Sequence, residues 1–235
     1  MNILFHGKYY GVSQAGEANE LKYRAALLDG AMQMGIELTE ELIEKLGVHY
    51  GLMHRWSSRM NLTSVTDPED AARLHGLDCL LFSEFFEPES AESVADIGSG
   101  AGFPGIILAL ARPNLKMCLV EPLRKRTSFL KVALAALSRS DVLVRQSKLV
   151  ASEQPEWVCE TIVSRATIAP LKLLELTPTY LKPGGRLITT SGDGAIPLLQ
   201  LENRAKELGF ESARRKQWEL PGGETRILDE FTLAC

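Results

Sequence analysis

The sequence predicts an α/β fold, a parallel sheet with helices on both faces behind a helical N-terminal part. Three observations predict it. Up to about residue 88, apolar residues recur at helical spacing. From Glu92 onward, short runs rich in β-branched residues alternate with helical segments. A glycine-rich stretch, Val94 to Gly105, joins the first of these runs to the first of these helices. The 235 residues suit one domain, or one domain with an appended lobe.

The elements follow in order. Residues 1–17 lack clear periodicity and read as a loose extension. Residues 18–88 read as helices. In the second of these, Leu42, Leu46, Tyr50 and Met53 repeat at helical spacing, and Thr39 stands where an N-cap belongs. Asp67-Pro68-Glu69-Asp70 starts another helix, with Asp67 as cap and Pro68 at the first position. Residues 89–235 carry the sheet. Strands are expected at 93–97, 116–120, 142–144, 161–163 and 185–190, the last after the turn Lys182-Pro183-Gly184-Gly185. Helices are expected at 104–111, 124–137, 170–176 and 196–208, and two strands close the chain.

Hydrophobic residues make up 45% and charged residues 24%, an ordinary globular composition. Cys79, Cys118, Cys159 and Cys235 are scattered with no CxxC pair, which argues against a zinc site or a disulfide framework. Reduced thiols in a cytoplasmic protein are the simplest reading. The N-terminus has no apolar stretch of signal-peptide length, and the longest apolar run, 106–111, is far short of a membrane span. The formal charge of -4 argues neither for nor against a nucleic-acid partner, which would need a local basic patch.

The chemistry is concentrated in Asp96-Ile97-Gly98-Ser99-Gly100-Ala101-Gly102-Phe103-Pro104-Gly105. Glycines let backbone approach a ligand, and ligands of open α/β sheets bind at the carboxyl ends of the strands. A dinucleotide fingerprint would put its third glycine at 103, where this chain has Phe103. No Gly-Lys-Ser/Thr follows, so a phosphate-binding loop is excluded. An acid, Asp96, precedes the glycines, and the next strand ends in Glu121, placed to accept hydrogen bonds from ribose hydroxyls. The turn resembles the first motif of class I methyltransferases. The bland reading is a tight corner without a ligand.

More elements extend the resemblance. Arg55-Trp56, Asn61-Leu62-Thr63, Arg73-Leu74-His75 and Leu77-Asp78 precede the turn. Lys125-Arg126 and Phe129-Leu130 follow Glu121, and Ser164-Arg165-Ala166 ends the fourth strand. In this order and spacing, residues from about 40 to 230 resemble the bacterial RsmG (GidB) family of small-subunit ribosomal RNA guanine-N7 methyltransferases. The resemblance implies a seven-stranded class I methyltransferase sheet of Rossmann-like form and S-adenosylmethionine as cofactor. It implies Gly98, Phe103, Leu149, Val150 and Arg165 as donor contacts, beside Asp96, Gly100, Gly102 and Glu121 of the turn. The chain departs from the family in having Lys148-Leu149-Val150 for Arg-x-Glu, Ser191-Gly192 for Lys-Gly and Trp56-Ser57 for Trp-Asn. It also lacks the late lysine of the last strand.

Guanine N7 carries a lone pair and no proton, so the reaction needs orientation and charge stabilisation rather than a general base. Arg165, His75 and Arg126 are the candidate catalytic residues. Arg165 would grip the methionine carboxylate or a guanine edge, or else form an ion pair with Glu121 or Asp96. His75 and Asp78 share a helix face, where they would cover the cofactor, orient the base or bond to each other. Lys125 and Arg126 open a helix, where the dipole disfavours cations; a phosphate contact and a solvated face are the two readings, weighed about evenly. Asn61 and Thr63 would cap the next segment or line the site, and Trp56 reads as core. His6, His49 and His54 read as surface or packing residues.

The expected partner is small-subunit ribosomal RNA or its ribonucleoprotein particle, bound by a monomer. Arg55, Arg59, Arg73, Arg124, Lys125 and Arg126 are the candidate cations, with Arg214-Arg215-Lys216 as a second cluster. A methyltransferase of small molecules or proteins, and a non-catalytic cofactor-binding module, are the competing readings.

Overall fold

A computed structural model of the chain describes residues 4–5, 8–9, 14–151, 154–191 and 196–235. The main sheet has seven strands: β1 (Ser93–Ile97), β2 (Lys116–Val120), β3 (Leu143–Arg145), β4 (Cys159–Ser164), β5 (Leu181–Ser191), β6 (Phe210–Glu219) and β7 (Thr225–Leu233). Their order is β3-β2-β1-β4-β5-β7-β6. The first five run parallel, and β7 pairs antiparallel with both β5 and β6. The order reverses between β1 and β4, and the carboxyl ends of those two strands form the crevice where such sheets take ligands.

The helices are α1 (Gln14–Gln33), α2 (Glu40–Met60), the helical run α3 (68–85), α4 (Gly105–Ala111), α5 (Arg124–Ala136), α6 (Pro170–Leu176) and α7 (Leu198–Glu207). The capping reading holds. Thr39 Oγ1 accepts the Leu42 amide at 3.2 Å, and Asp67 accepts the amides of Glu69 and Asp70 at 3.0 Å. Asn61 ends α2 in the left-handed region, with φ 49°. Within α3, residues Ala72–Leu77 widen into a π turn.

The helical part begins earlier than residue 18, because α1 starts at Gln14. Residues Leu4–Phe5 and Lys8–Tyr9 pair as a short antiparallel hairpin. Strand β5 also starts earlier than residue 185. Leu181 already pairs with Cys159, and the Lys182 to Gly185 segment bulges out before Arg186 meets Thr161. Proline and two glycines read as a turn in sequence, yet here they interrupt a strand rather than precede it.

Two cores flank the sheet. One continuous cluster joins Tyr23, Leu27 and Tyr50 of the N-terminal helices to Ile106, Phe129 and Leu228. The other packs Leu173, Leu174 and Leu201 against Ile162, Leu187 and Phe231. Each fully buried Phe or Leu contributes roughly 1.5–3 kcal/mol. The first core therefore fixes α2 and α3 over the crevice end of the sheet.

Candidate functional site

The glycine turn is built from the sheet outward. Gly98, Gly100 and Gly102 have φ of 76°, 55° and 92°, which side-chain-bearing residues rarely adopt. Gly98 donates to Val120 O at 2.8 Å, so the turn is stitched to the end of β2. A Cβ on Gly98 would collide with Thr167, whose hydroxyl donates to Gly98 O. Gly100 differs, since a Cβ there would meet nothing nearer than Gly98 O at 3.8 Å. The open room of the turn lies above Gly100.

Two buried acids frame that room. Glu121 accepts the Gly100 amide at 3.0 Å through Oε2 and the Leu123 amide at 2.9 Å through Oε1. Each oxygen keeps a lone pair for further donors. Asp96 Oδ2 accepts the Gly105 amide at 3.0 Å, while buried Oδ1 has no hydrogen-bond partner among the described residues. Burial pushes the Asp96 carboxyl up to about 7, against the opposing Ser99 hydroxyl, Gly105 amide and Arg165 charge. An unsatisfied acceptor of this kind awaits a donor.

Opposite the acids stands an aromatic and cationic wall. Phe103 precedes the cis-linked Pro104. The His75 ring lies 4.5 Å from the Phe103 ring, the His49 ring 5.2 Å, and the Arg165 guanidinium 5.2 Å. Nη1 of Arg165 donates to Asp78 at 2.8 Å and to Leu74 O at 2.9 Å, both from the π turn and its end. Nη2 lies 3.2 Å from His75 Nδ1, and the buried Nε has no partner among the described residues. The other Asp78 oxygen lies 3.2 Å from Arg226 Nε, at ion-pair distance without hydrogen-bond alignment. Thr63 Oγ1 lies 2.8 Å from His75 Nε2. Burial first, and the Arg165 charge second, push His75 down to about 4, so its ring is neutral near pH 7.

The arrangement fits a ligand with a ribose, an anionic group and a cationic group, for each finds an opposite in the wall, Glu121 or Asp96. A family model described as GidB, rRNA small subunit methyltransferase G, matches residues 42–226. The chain belongs to this family.

A relative named ribosomal RNA small subunit methyltransferase G 1, from Syntrophobacter fumaroxidans, is 36% identical over 80% of this chain and 86% of its own. One named ribosomal RNA small subunit methyltransferase G, from Moorella thermoacetica, is 34% identical over 81% of each chain. Among solved structures, a methyltransferase from Pyrococcus furiosus aligns with TM-score 0.53 and 21% identity over 68% of this chain and 83% of that one. The apo S-adenosylmethionine-dependent methyltransferase SibL aligns with TM-score 0.58 and 14% identity, covering all of this chain and 81% of that one. Such distant structural likeness speaks for the shared class I fold.

Seen as a GidB site, the residues sort clearly. Asp96, Gly98, Gly100, Gly102, Phe103, Glu121, Arg165 and His75 converge on one crevice. Leu149 is buried in the second core, and Val150 turns its side chain to solvent while its carbonyl accepts Tyr180 Oη at 3.0 Å. Arg126 is half-buried in the first turn of α5, with no ion pair or hydrogen bond to its guanidinium among the described residues.

Several expectations change. Arg165 pairs with Asp78, not with Glu121 or Asp96. His75 and Asp78 do not bond each other; both turn to Arg165. His49 is a packing residue, one of the two roles expected of it: it is fully buried at the turn and lies 2.8 Å from Ala101 O, and burial pushes it down to about 4. Thr63 lines the site through His75. Trp56 packs edge-on to Phe129 at 5.6 Å, as a core residue would. Ser191 donates to buried Asp229, which Arg215 also grips, so this departure from Lys is absorbed by a local pair. Gly192 and His6 lie outside the described residues. Arg226 and Thr167 went unseen because neither sits in a motif; only the fold brings them to the turn.

Among the described residues no helix is long and apolar enough to cross a membrane, and no cluster of three metal-ligating side chains occurs.

Proposed function

We propose that this chain transfers a methyl group from S-adenosylmethionine to N7 of a guanosine in small-subunit ribosomal RNA. The supporting observation is the convergence of Arg165, His75 and Phe103 with the acid-framed glycine turn, in a chain of the GidB family. The cofactor supplies an electrophilic sulfonium methyl when bound. Glu121 would hold the ribose hydroxyls, Asp96 Oδ1 the cationic part and Arg165 the carboxylate. Gly98, Gly100 and Gly102 would let the donor lie against backbone, Phe103 would close one side, and Leu149 and Val150 would contact the adenine.

Guanine N7 needs no proton removed, which suits a crevice whose histidine is neutral and packed rather than poised as a base. The work left to the chain is alignment, exclusion of water and stabilisation of the charge that moves from sulfur to the base. The guanosine must be splayed from its stack to reach that depth.

The RNA would approach over α2 and α5. The α2 start shares a cavity of about 370 Å³ with Ala111 and Pro113 at the far end of α4. His49, further along α2, reaches the glycine turn, so the α2 end lies at the crevice rim beside the start of α5. Arg59, Arg124, Lys125 and Arg126 there form no ion pair among the described residues, and half-buried Arg55 faces Glu20. The other candidates are already engaged. Arg73 pairs with Asp70 and Glu224, Arg214 with Glu230 and Arg215 with Asp229, while Lys216 donates to Glu84 O. Unspent cations are the ones available to phosphates.

The test is transfer of labelled methyl from S-adenosylmethionine to small-subunit particles, or their RNA, lacking the modification. N7-methylguanosine should carry the label. Label appearing only in small molecules or in protein would overturn the proposal.

A further inference from the structure

Arg165 is held by a carboxylate that it does not own. Asp78 is 4% exposed and offers one carboxyl group, yet two guanidiniums face it: Arg165 at 2.8 Å and Arg226 at 3.2 Å. They come from different ends of the fold, Arg165 from the loop after β4 and Arg226 from the start of β7. Within the trio two cations meet one carboxylate at ion-pair distance, and the neutral His75 beside it adds no charge; Asp96 acts on Arg165 and Glu224 on Arg226 only through space, without an ion pair. Its second buried irregularity is the Arg165 Nε–H, which has no partner among the described residues. A buried group with two guanidiniums on one paired carboxylate favours an anion that completes it.

The backbone of Arg165 is fixed as well. Thr167 Oγ1 donates to Gly98 O at 3.1 Å and lies 3.0 Å from Arg165 O, tying this loop to the glycine turn. The guanidinium is therefore fixed at both ends: by Thr167 through the main chain, and by Leu74 O and Asp78 through the fork. Little freedom remains for it to follow a ligand. What can still be tuned is how much of its charge Asp78 neutralises.

We infer that Arg226 is a positioning residue for the donor's carboxylate, acting by drawing off part of the Asp78 charge so that Arg165 stays cationic toward the crevice. The inference rests on the reading of Arg165 as the carboxylate ligand of S-adenosylmethionine. Without Arg226, Asp78 would be given wholly to Arg165, the net charge of the group would fall to zero, and the pull on an anionic ligand group would weaken. The effect should be specific to the carboxylate. The ribose hydroxyls and the base, held by Glu121 and the glycine backbone, make no contact with the Arg165 group and should not sense it.

Calorimetry with two probes tests this: S-adenosylhomocysteine, which has the carboxylate, and 5′-methylthioadenosine, which lacks it. In the wild type the first should bind more tightly. Arg226→Met should weaken S-adenosylhomocysteine about 10-fold, the scale of losing an outer partner of a ligand-holding group, and leave 5′-methylthioadenosine unchanged. Arg226→Lys, which keeps the charge near Asp78, should restore most of the loss. Equal weakening of both probes would mean a merely structural role and would overturn the inference, as would unchanged binding of S-adenosylhomocysteine. A wild type that binds neither probe fails differently, since it removes the donor-site reading itself.

Discussion

The two ends of the sheet each carry an arginine stacked on a phenylalanine and pinned by carboxylates, and they differ in one respect. At the end where β1 begins, Arg186 lies over Phe86 at 5.3 Å and reaches Glu92 at 2.9 and 3.0 Å and Glu230 at 3.0 Å; Glu230 also takes Arg214. Two cations meet two anions. At the crevice end, Arg165 lies over Phe103 at 5.2 Å, and among the described residues Asp78 is the one carboxylate at ion-pair distance from Arg165 and Arg226. The balanced group closes on itself and ties the segment before β1 to β5, β7 and β6. The unbalanced group leaves a charge and an N–H unspent, facing the glycine turn. Under the proposed function, similar residues in similar stacking serve stability in one place and recognition in the other, and the pairing of charges distinguishes them.

The largest expected effect comes from removing the unbalanced arginine. Arg165→Ala should weaken S-adenosylmethionine about 100-fold, the scale for truncating one partner of a buried charged pair, and cut methyl transfer at least as much. Its melting temperature should move less than that of the next variant, because Asp78 keeps Arg226. Calorimetry beside thermal melts would reveal a failure: intact donor affinity would make the crevice group another structural clamp.

Arg186→Ala should do the reverse. Leaving Glu92 and Glu230 short of a partner should cost on the order of 2 kcal/mol, discounted for partial exposure, or about 4–8 °C of melting temperature. Donor affinity should stay within about twofold, since nothing in that group touches the turn. A variant that melts normally but binds donor poorly would erase the contrast between the two ends.

The smallest effect is a pH dependence confined to the crevice. Asp96, held up at about 7, is protonated below that pH and ionised above it. Donors to its free Oδ1 favour the ionised form, so S-adenosylmethionine affinity should fall as pH drops from 8 to 6, by less than about tenfold per unit. Asp96→Asn should flatten that slope. A slope that persists in Asp96→Asn would assign the titration to another group.

Much of this was legible in the residues, and what was missed has a common cause. Ser93–Ile97, Lys116–Val120 and Pro170–Leu176 stand where periodicity and the neighbouring glycine or proline put them. The glycine turn and its two acids were readable because one short segment and the end of the next strand carry them. The β5 start was missed because Pro183 and two glycines make the same local statement in a bulge as in a turn. The partners of Arg165 were missed because Asp78 lies 87 residues before it and Arg226 lies 61 after. Burial and charge balance are properties of the assembled sheet, so neither the engaged state of Arg73, Arg214 and Arg215 nor the free state of Arg126 could be read from spacing.

Strand β7 follows β6 in the chain yet slots between β5 and β6, and Arg226 stands at its start. A chain growing from its N-terminus carries the glycine turn, Phe103 and Arg165 long before it carries Arg226. Until that final insertion, Asp78 answers to Arg165 alone. The contact between residues 78 and 226 is among the most non-local in the molecule, and such contacts form late in folding. With Arg226 as a positioning residue, full affinity for the donor would arrive last, once the sheet is complete, and a molecule whose terminal hairpin has come loose should lose its grip on the donor before it loses its core.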